Sequence, residues 1–78
     1  MKDELMMKLT NFYKVFADFS RLKILFLLSE GSYKVSEITS KLAISQSAVS
    51  HQLHLLRQLD LVKVDRLGKE SYYSLSDH

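Results

Sequence analysis

The sequence predicts a single small α+β domain, mainly helical, with four helices followed by a two-stranded hairpin across residues 1–78. Three observations support this. Apolar residues recur at intervals of three and four through most of the chain. After residue 61, apolar residues recur at every second position instead. The 78 residues contain no proline and only two glycines, so no linker is expected, and a chain this short is expected to gain stability from a partner surface.

The first two predicted helices carry most of the apolar residues. The first has an apolar stripe, expected to be buried in core or dimer packing rather than to form a ligand pocket: Leu5, Leu9, Phe12, Tyr13 and Phe16. A break is predicted near Asp18 to Ser20, because both residues are good N-caps. The second helix then runs from Leu22 to Leu28 through the core, and Gly31 is expected to end it in the left-handed conformation.

Two short helices follow with a tight connection. Val35–Leu42 is predicted as the third helix, with Ile38 among its inward residues. Ser45 is the expected N-cap of a fourth helix that runs from Gln46 to about Leu59. Two short helices joined by about three residues are typical of a helix-turn-helix, in which the second helix enters the DNA major groove.

On a helical wheel the fourth helix has an apolar arc and a polar arc. The expected inward residues are Ala48, Val49, Leu53, Leu55, Leu56 and Leu59. The outer residues are Gln46, Ser47, Ser50, His51, His54, Arg57 and Gln58. No acidic residue occurs on the outer arc, which suits contact with phosphates and base edges. A polar face that is simply solvated is the alternative interpretation.

These outer residues have different expected roles. Gln46 can bridge an adenine edge, and Arg57 is expected at the phosphate backbone. Three side chains are short enough to let the helix lie deep in the groove: Ser47, Ser50 and His51. His54 could share a metal with His51, but no carboxylate or third histidine accompanies the pair, so DNA contact is the favoured role.

The last segment is predicted as a β-hairpin that turns at Leu67-Gly68-Lys69. A hairpin directly after a recognition helix is a wing, so the sequence predicts a winged helix-turn-helix. Three basic residues are expected to reach phosphates or the minor groove: Lys63, Arg66 and Lys69. Asp65 and Glu70 are interleaved with them and weaken this signal.

Composition excludes several other classes. The chain has no cysteine, so disulfides and thiolate metal sites are excluded and the cytoplasm is the default expectation. Polar residues interrupt the apolar run near the start, so neither a signal peptide nor a membrane span is predicted. No Gly-rich phosphate loop or supported nucleophilic triad occurs, which argues against an enzyme or a bound cofactor. The net charge of +2 is compatible with nucleic-acid binding but does not predict it.

Three segments carry a family resemblance: FADFSRLKIL from Phe16, LSEG from Leu28 and SQSAVSHQLHLLR from Ser45. Together with the Tyr-Tyr-x-Leu ending of the hairpin, they resemble the ArsR/SmtB family of bacterial winged-helix repressors, from about Tyr13 to Asp77. The resemblance implies a homodimer that binds double-stranded DNA at a palindromic operator and leaves it when an inducer binds. It implies four DNA-reading positions, which the helical wheel also selects: Gln46, Ser47, Ser50 and His51. It also implies that Val35 lies close to the DNA backbone.

The metal-sensing motifs of that family are absent or incomplete here. Lys34 and Ser36 stand where a Cys-Val-Cys motif would supply thiolates. Asp77 stands where a final zinc-binding helix would begin, and that helix also forms much of the family's dimer interface. If the natural chain continues with further histidines, Asp77 is a ligand for zinc or another divalent metal. Otherwise it is a surface residue, which is favoured because one carboxylate binds no zinc tightly.

Without that final helix, the chain is either a fragment or a protein that dimerises through its first helix alone. Two further functional classes are alternatives to a DNA-binding repressor. One is a winged-helix module that binds a protein partner, and the other is a ligand-sensing domain whose apolar dimer seam holds a small molecule or metal. Neither accounts as directly for the acid-free outer arc of the fourth helix.

Overall fold

The computed structural model describes residues 2–77, which form three helices and one antiparallel hairpin. The helices are α1 (Lys2–Leu28), α2 (Val35–Leu42) and α3 (Gln46–Gln58). The strands are β1 (Val62–Leu67) and β2 (Glu70–Leu75). The predicted winged helix-turn-helix is confirmed, but the predicted number of four helices is wrong because the first two are one continuous helix.

Helix α1 passes through Asp18 and Ser20 without the predicted break. It contains neither proline nor glycine, so its sequence holds nothing that interrupts a helix. The Asp18 carboxylate accepts a hydrogen bond from Arg21 Nη1 at 3.4 Å, one turn farther on, instead of capping a new helix. Ser20 is buried within the helix. A residue type that is common at N-caps therefore indicates a helix start only where its own backbone is not helical.

Only the C-terminal half of α1 reaches the core. Its buried residues are Ser20, Ile24, Leu27 and Leu28. The predicted burial of the N-terminal stripe is wrong for the single chain, because its five members are 44 to 66% exposed: Leu5, Leu9, Phe12, Tyr13 and Phe16. The N-terminal half of α1 therefore presents apolar surface that this chain does not cover.

Gly31 does not have the predicted capping conformation. Its φ is 158°, far from the left-handed value near +57°. Helix α1 instead ends in a turn, where the N–H of Ser29 donates to the carbonyl of Leu25 and the N–H of Glu30 donates to that of Leu27.

The hydrophobic core joins all three helices to the first strand. Its buried members are Ile24, Leu27, Leu28, Ile38, Ile44, Val49, Leu53, Leu56 and Val62. The predicted inward residues of α3 are confirmed except Leu59, which is 65% exposed. This residue follows the end of α3, where the chain reverses and the N–H of Leu61 donates to the carbonyl of Leu56.

The turn between α2 and α3 holds an alanine in the left-handed region. Ala43 has φ 55° and ψ 42°, a conformation that costs a non-glycine residue about 1–2 kcal/mol. Ser45 then caps α3 as predicted, because its hydroxyl accepts the N–H of Ala48 at 3.2 Å.

Replacing Ala43 with glycine is expected to raise the free energy of unfolding by about 0.5–1 kcal/mol. The relieved strain exceeds the extra chain entropy that glycine loses on folding. Urea denaturation of the two proteins measures the difference. The matched control is Ala17→Gly inside α1, which should lower stability by about 1 kcal/mol. A less stable Ala43→Gly protein would show that the turn is not strained.

The wing is attached to the helices by backbone pairing. Strands β1 and β2 flank the two-residue loop Gly68-Lys69, and Gly68 has φ 66°, as the first central residue of a type II′ turn requires. Tyr33, between α1 and α2, exchanges two backbone hydrogen bonds with Tyr73 of β2, at 3.0 and 2.8 Å. The hairpin is therefore anchored to the segment that precedes the helix-turn-helix.

Candidate nucleic-acid interface

The outer surface of α3 is a polar ridge. Its exposed members, called the reading ridge below, are Gln46, Ser47, Ser50, His51, His54 and Arg57. At 1.5 Å per residue, Gln46 and His51 lie about 7.5 Å apart along the axis, and Arg57 about 9 Å farther. The major groove of B-DNA is about 12 Å wide, so the first turns of α3 can lie across one groove.

The ridge has no negative charge of its own, because α3 contains no aspartate or glutamate. Two carboxylates on the neighbouring helices are already engaged. Glu37 accepts the N–H of Lys34 at 2.9 Å at the start of α2, and Asp18 pairs with Arg21. The N-terminus of α3 carries the positive end of the helix dipole, which adds to its suitability for phosphates.

Three hydroxyl residues of α2, which sequence reasoning missed, lie beside the start of the ridge. Ser36, Thr39 and Ser40 line a notch of about 270 Å³ together with Gln46. Thr39 Oγ1 is buried and has no hydrogen-bond partner among residues 2–77, whereas Ser36 and Ser40 are exposed. Thr39 and Ser40 lie three and four residues after Ser36, so the sequence did contain the signal that they share one helix face. The exposed hydroxyls of Ser36 and Ser40 are suitable phosphate donors.

The predicted reading residues lie on different neighbouring surfaces around α3. Gln46 lies at the notch with α2, whereas Ser47 and His51 lie on the side that faces α1. His54 lines a shallow depression with Arg57 and Gln58 farther along α3. The positions predicted to read bases and those predicted to contact the DNA backbone are therefore separated along one helix.

Gln52, also missed by sequence reasoning, fixes α3 against α1. It is only 4% exposed, and its Oε1 accepts a hydrogen bond from Arg21 Nε at 3.1 Å. On a helical wheel, position 52 falls between Ala48 and Leu56, inside the apolar arc. A glutamine at such a position predicts a buried amide with a partner, so the signal was present in the sequence.

Val35, predicted to lie near the DNA backbone, is half-buried and packs against the core. Its side chain helps to hold the first turn of α2 in place. Its proximity to DNA stays a prediction.

The basic residues of the wing do not share one surface. Because side chains alternate along a strand, Lys63 and Arg66 point to opposite faces of the hairpin. Lys63 Nζ lies 3.2 Å from Asp77 Oδ2, whereas Lys69 is in the exposed loop. Within the described part of the wing, Arg66 and Lys69 have no ion-pair partner.

Asp77 does not belong to a metal site in the described residues. Its side chain is 93% exposed and pairs with Lys63. No three histidine or acidic side chains between residues 2 and 77 come together as metal ligands. These residues therefore do not fit a zinc site, and His78 lies outside the described range. Over the same range, no helix combines the length and apolarity that a membrane span requires.

Comparison with known proteins identifies the family. Residues 18–64 match the model of the bacterial regulatory protein, arsR family, a segment that includes α2, α3 and the start of β1. The chain belongs to the ArsR family. The resemblance seen in the sequence is thereby confirmed.

Two ArsR-family relatives are longer than this chain. It is 39% identical over 71 residues to the transcriptional repressor SmtB homolog of Synechocystis sp., covering 91% of this chain and 54% of the relative. It is 48% identical over 58 residues to the transcriptional regulator NmtR of Mycobacterium tuberculosis, covering 74% and 48%. The chain spans about half the length of these two relatives.

A solved structure of similar fold agrees with this assignment. The homodimeric winged helix-turn-helix DNA-binding domain of Mb0332 from Mycobacterium bovis superposes with a TM-score of 0.73 at 29% identity. The alignment covers 97% of this chain and 70% of that domain.

Proposed function

We propose that this chain is a sequence-specific DNA-binding transcriptional repressor that binds a palindromic operator as a homodimer. The observation that carries the proposal is the acid-free reading ridge on the second helix of a helix-turn-helix. The Synechocystis relative named as a repressor and the homodimeric Mb0332 domain support it. Since a bacterial operator lies in the cytoplasm, the proposal places the protein there.

Some residues of the ridge and its surroundings would contact bases, and others would contact phosphates. Gln46, Ser50 and His51 would contact base edges, because they occupy the first turns of the helix that enters the groove. The exposed Ser36 and Ser40 of α2 would contact phosphates on one side of the groove, and Arg57 would contact phosphates on the other. Phosphate contacts supply affinity and fix the register, whereas base contacts supply the sequence preference.

A second apolar stripe on α1 supports dimerisation. Its members, called the seam below, are 60 to 72% exposed: Phe12, Val15, Phe19, Leu22 and Phe26. Their spacings alternate between three and four residues, the pattern by which two helices pair along a seam. Two copies joined through α1 would present two α3 helices to successive major grooves, about 34–36 Å apart.

Selection of binding sites from a random duplex pool at several salt concentrations tests this function. We expect a palindrome, with affinity falling as salt rises by about 0.9 log units per log unit for each neutralised phosphate. A reporter driven by a promoter that contains the selected site should lose output. Salt-insensitive binding to proteins without duplex selection would support the protein-interaction alternative, and increased reporter output would contradict repression.

Gln46→Ala is expected to lower discrimination between the operator and random DNA by about 1–3 kcal/mol, because a bidentate base contact is lost. Competition binding with the two duplexes measures this difference. Gln58→Ala is the matched control, since it removes the same side chain at the far end of α3, and it should leave discrimination unchanged. Equal effects of the two substitutions would show that Gln46 does not read a base.

A further inference from the structure

A cavity of about 370 Å³ lies between α1 and α3, beside the reading ridge. Helix α1 lines it with Tyr13, Phe16, Ala17 and Ser20. Helix α3 lines it with Ser47, Ala48, His51 and Gln52. Its volume falls at the lower end of the range of about 300–1,000 Å³ that small-molecule sites occupy, which suits a ligand with one ring.

Two buried polar groups of this cavity have unused hydrogen-bonding capacity. Ser20 is 2% exposed, and its hydroxyl has no hydrogen-bond partner in the described chain. Gln52 is 4% exposed, and the oxygen of its amide accepts from Arg21. The amide nitrogen of Gln52 has no acceptor among residues 2–77, but solvent reaches it, so the Ser20 hydroxyl is the enclosed unpaired group of this cavity. Buried polar groups are normally paired, so a ligand that accepts hydrogen bonds would complete this site.

The remaining walls favour an aromatic ligand. Tyr13 and Phe16 lie one turn apart on α1 and present exposed rings to the cavity, where a third ring can pack against them. Ala17 and Ala48 are small, which leaves the gap between the helices open. No carboxylate lines the cavity, so an anionic or electron-rich oxygen meets no repulsion there.

We propose that this cavity binds a single-ring aromatic molecule bearing an acceptor oxygen, as in a benzoate or a phenol, and that its binding opposes DNA binding. The ring packs against Tyr13 and Phe16, and the oxygen accepts from Ser20 and Gln52. The effect on DNA rests on the proposed function, because Ser47 and His51 line the cavity and also belong to the reading ridge. A ligand that holds these two side chains towards α1 keeps them out of the DNA major groove.

Calorimetric titration of the whole chain with benzoate and with phenol, without DNA, tests the site by itself. We expect saturable binding of at least one of the two with one ligand per chain, and weaker binding of cyclohexanecarboxylate, which lacks the aromatic ring. Ala17→Phe should abolish binding by filling the gap. Ser20→Ala should weaken it about 2- to 10-fold without lowering thermal stability, because that hydroxyl has no partner among residues 2–77.

Ser32→Ala, which makes the same change as Ser20→Ala at an exposed position outside the cavity, is the control and should leave binding unchanged. Absence of saturable binding at millimolar concentrations overturns the proposal, and so does binding that survives both Ala17→Phe and Ser20→Ala. With the selected operator, the ligand should raise the apparent Kd for DNA about 5- to 150-fold. Unchanged operator affinity in the presence of bound ligand overturns the coupling and leaves the proposed function standing. A chain that binds ligand but selects no duplex overturns the proposed function and leaves the ligand site standing.

Discussion

Phe19→Glu is expected to convert the proposed homodimer into a monomer and to weaken binding to the proposed operator by about 10²–10⁴-fold. Phe19 lies at the middle of the seam and is 60% exposed in the single chain, so a partner helix would bury it. A carboxylate there would lose its hydration on association and face its symmetry mate. Operator affinity would fall together with dimerisation. In a dimer, once one reading helix has bound, the second binds its half-site at a high effective concentration, and a monomer lacks this gain.

Light scattering after size exclusion measures the mass, and operator titration measures the affinity. Asn11→Glu is the matched control, since it adds the same charge to an exposed polar position of α1 outside the seam. The circular dichroism of both variants should match that of the parent chain. A Phe19→Glu protein that stays dimeric would assign the dimer interface to another surface.

Leu53→Ala is expected to lower the free energy of unfolding by about 2–5 kcal/mol. Leu53 is 1% exposed in the core that joins α3 to the other helices, so its truncation leaves a cavity. A domain of 78 residues has a total stability of only about 4–12 kcal/mol. The substitution therefore removes a large share of that stability, and DNA binding should be lost on mild warming.

Leu59→Ala is the control for this core substitution. It truncates the same side chain a few residues farther on, but Leu59 is 65% exposed, so a change below about 0.5 kcal/mol is expected. Chemical denaturation of both variants gives the comparison. Similar losses in the two proteins would mean that Leu59 is covered in solution, as in a dimer whose interface includes the end of α3.

The elements predicted correctly from sequence are those determined by local signals. The bounds of α2 agree with the prediction residue for residue, and Ser45 caps α3 through its own side chain. The hairpin turns at Gly68, where a positive φ is required. In each case a few neighbouring residues decide the backbone conformation, so their pattern is sufficient.

The errors and omissions depend on contacts between distant segments. Periodicity identified the apolar stripe of α1 but not what covers it, and residues 2–77 leave it 44 to 66% exposed. Asp18 is a common N-cap residue type, but the backbone stays helical through it, and no new helix begins there. The hydrogen bond between Gln52 and Arg21 joins residues 31 positions apart, and no local sequence pattern predicts that Arg21 is the partner. The candidate reading residues were accessible to sequence reasoning because one helix carries them all.

The absence of a hinge in α1 has a mechanical consequence. The helix has 27 residues and is therefore a stiff rod about 40 Å long. One face of this rod bears the seam, and another face is joined to α3 through Arg21. In the proposed dimer, a tilt of a few degrees where two such rods cross would displace the two reading helices by several ångströms. The crossing angle would then set the half-site spacing, and an effector that changed this angle alone would release DNA without touching a base or unfolding any element.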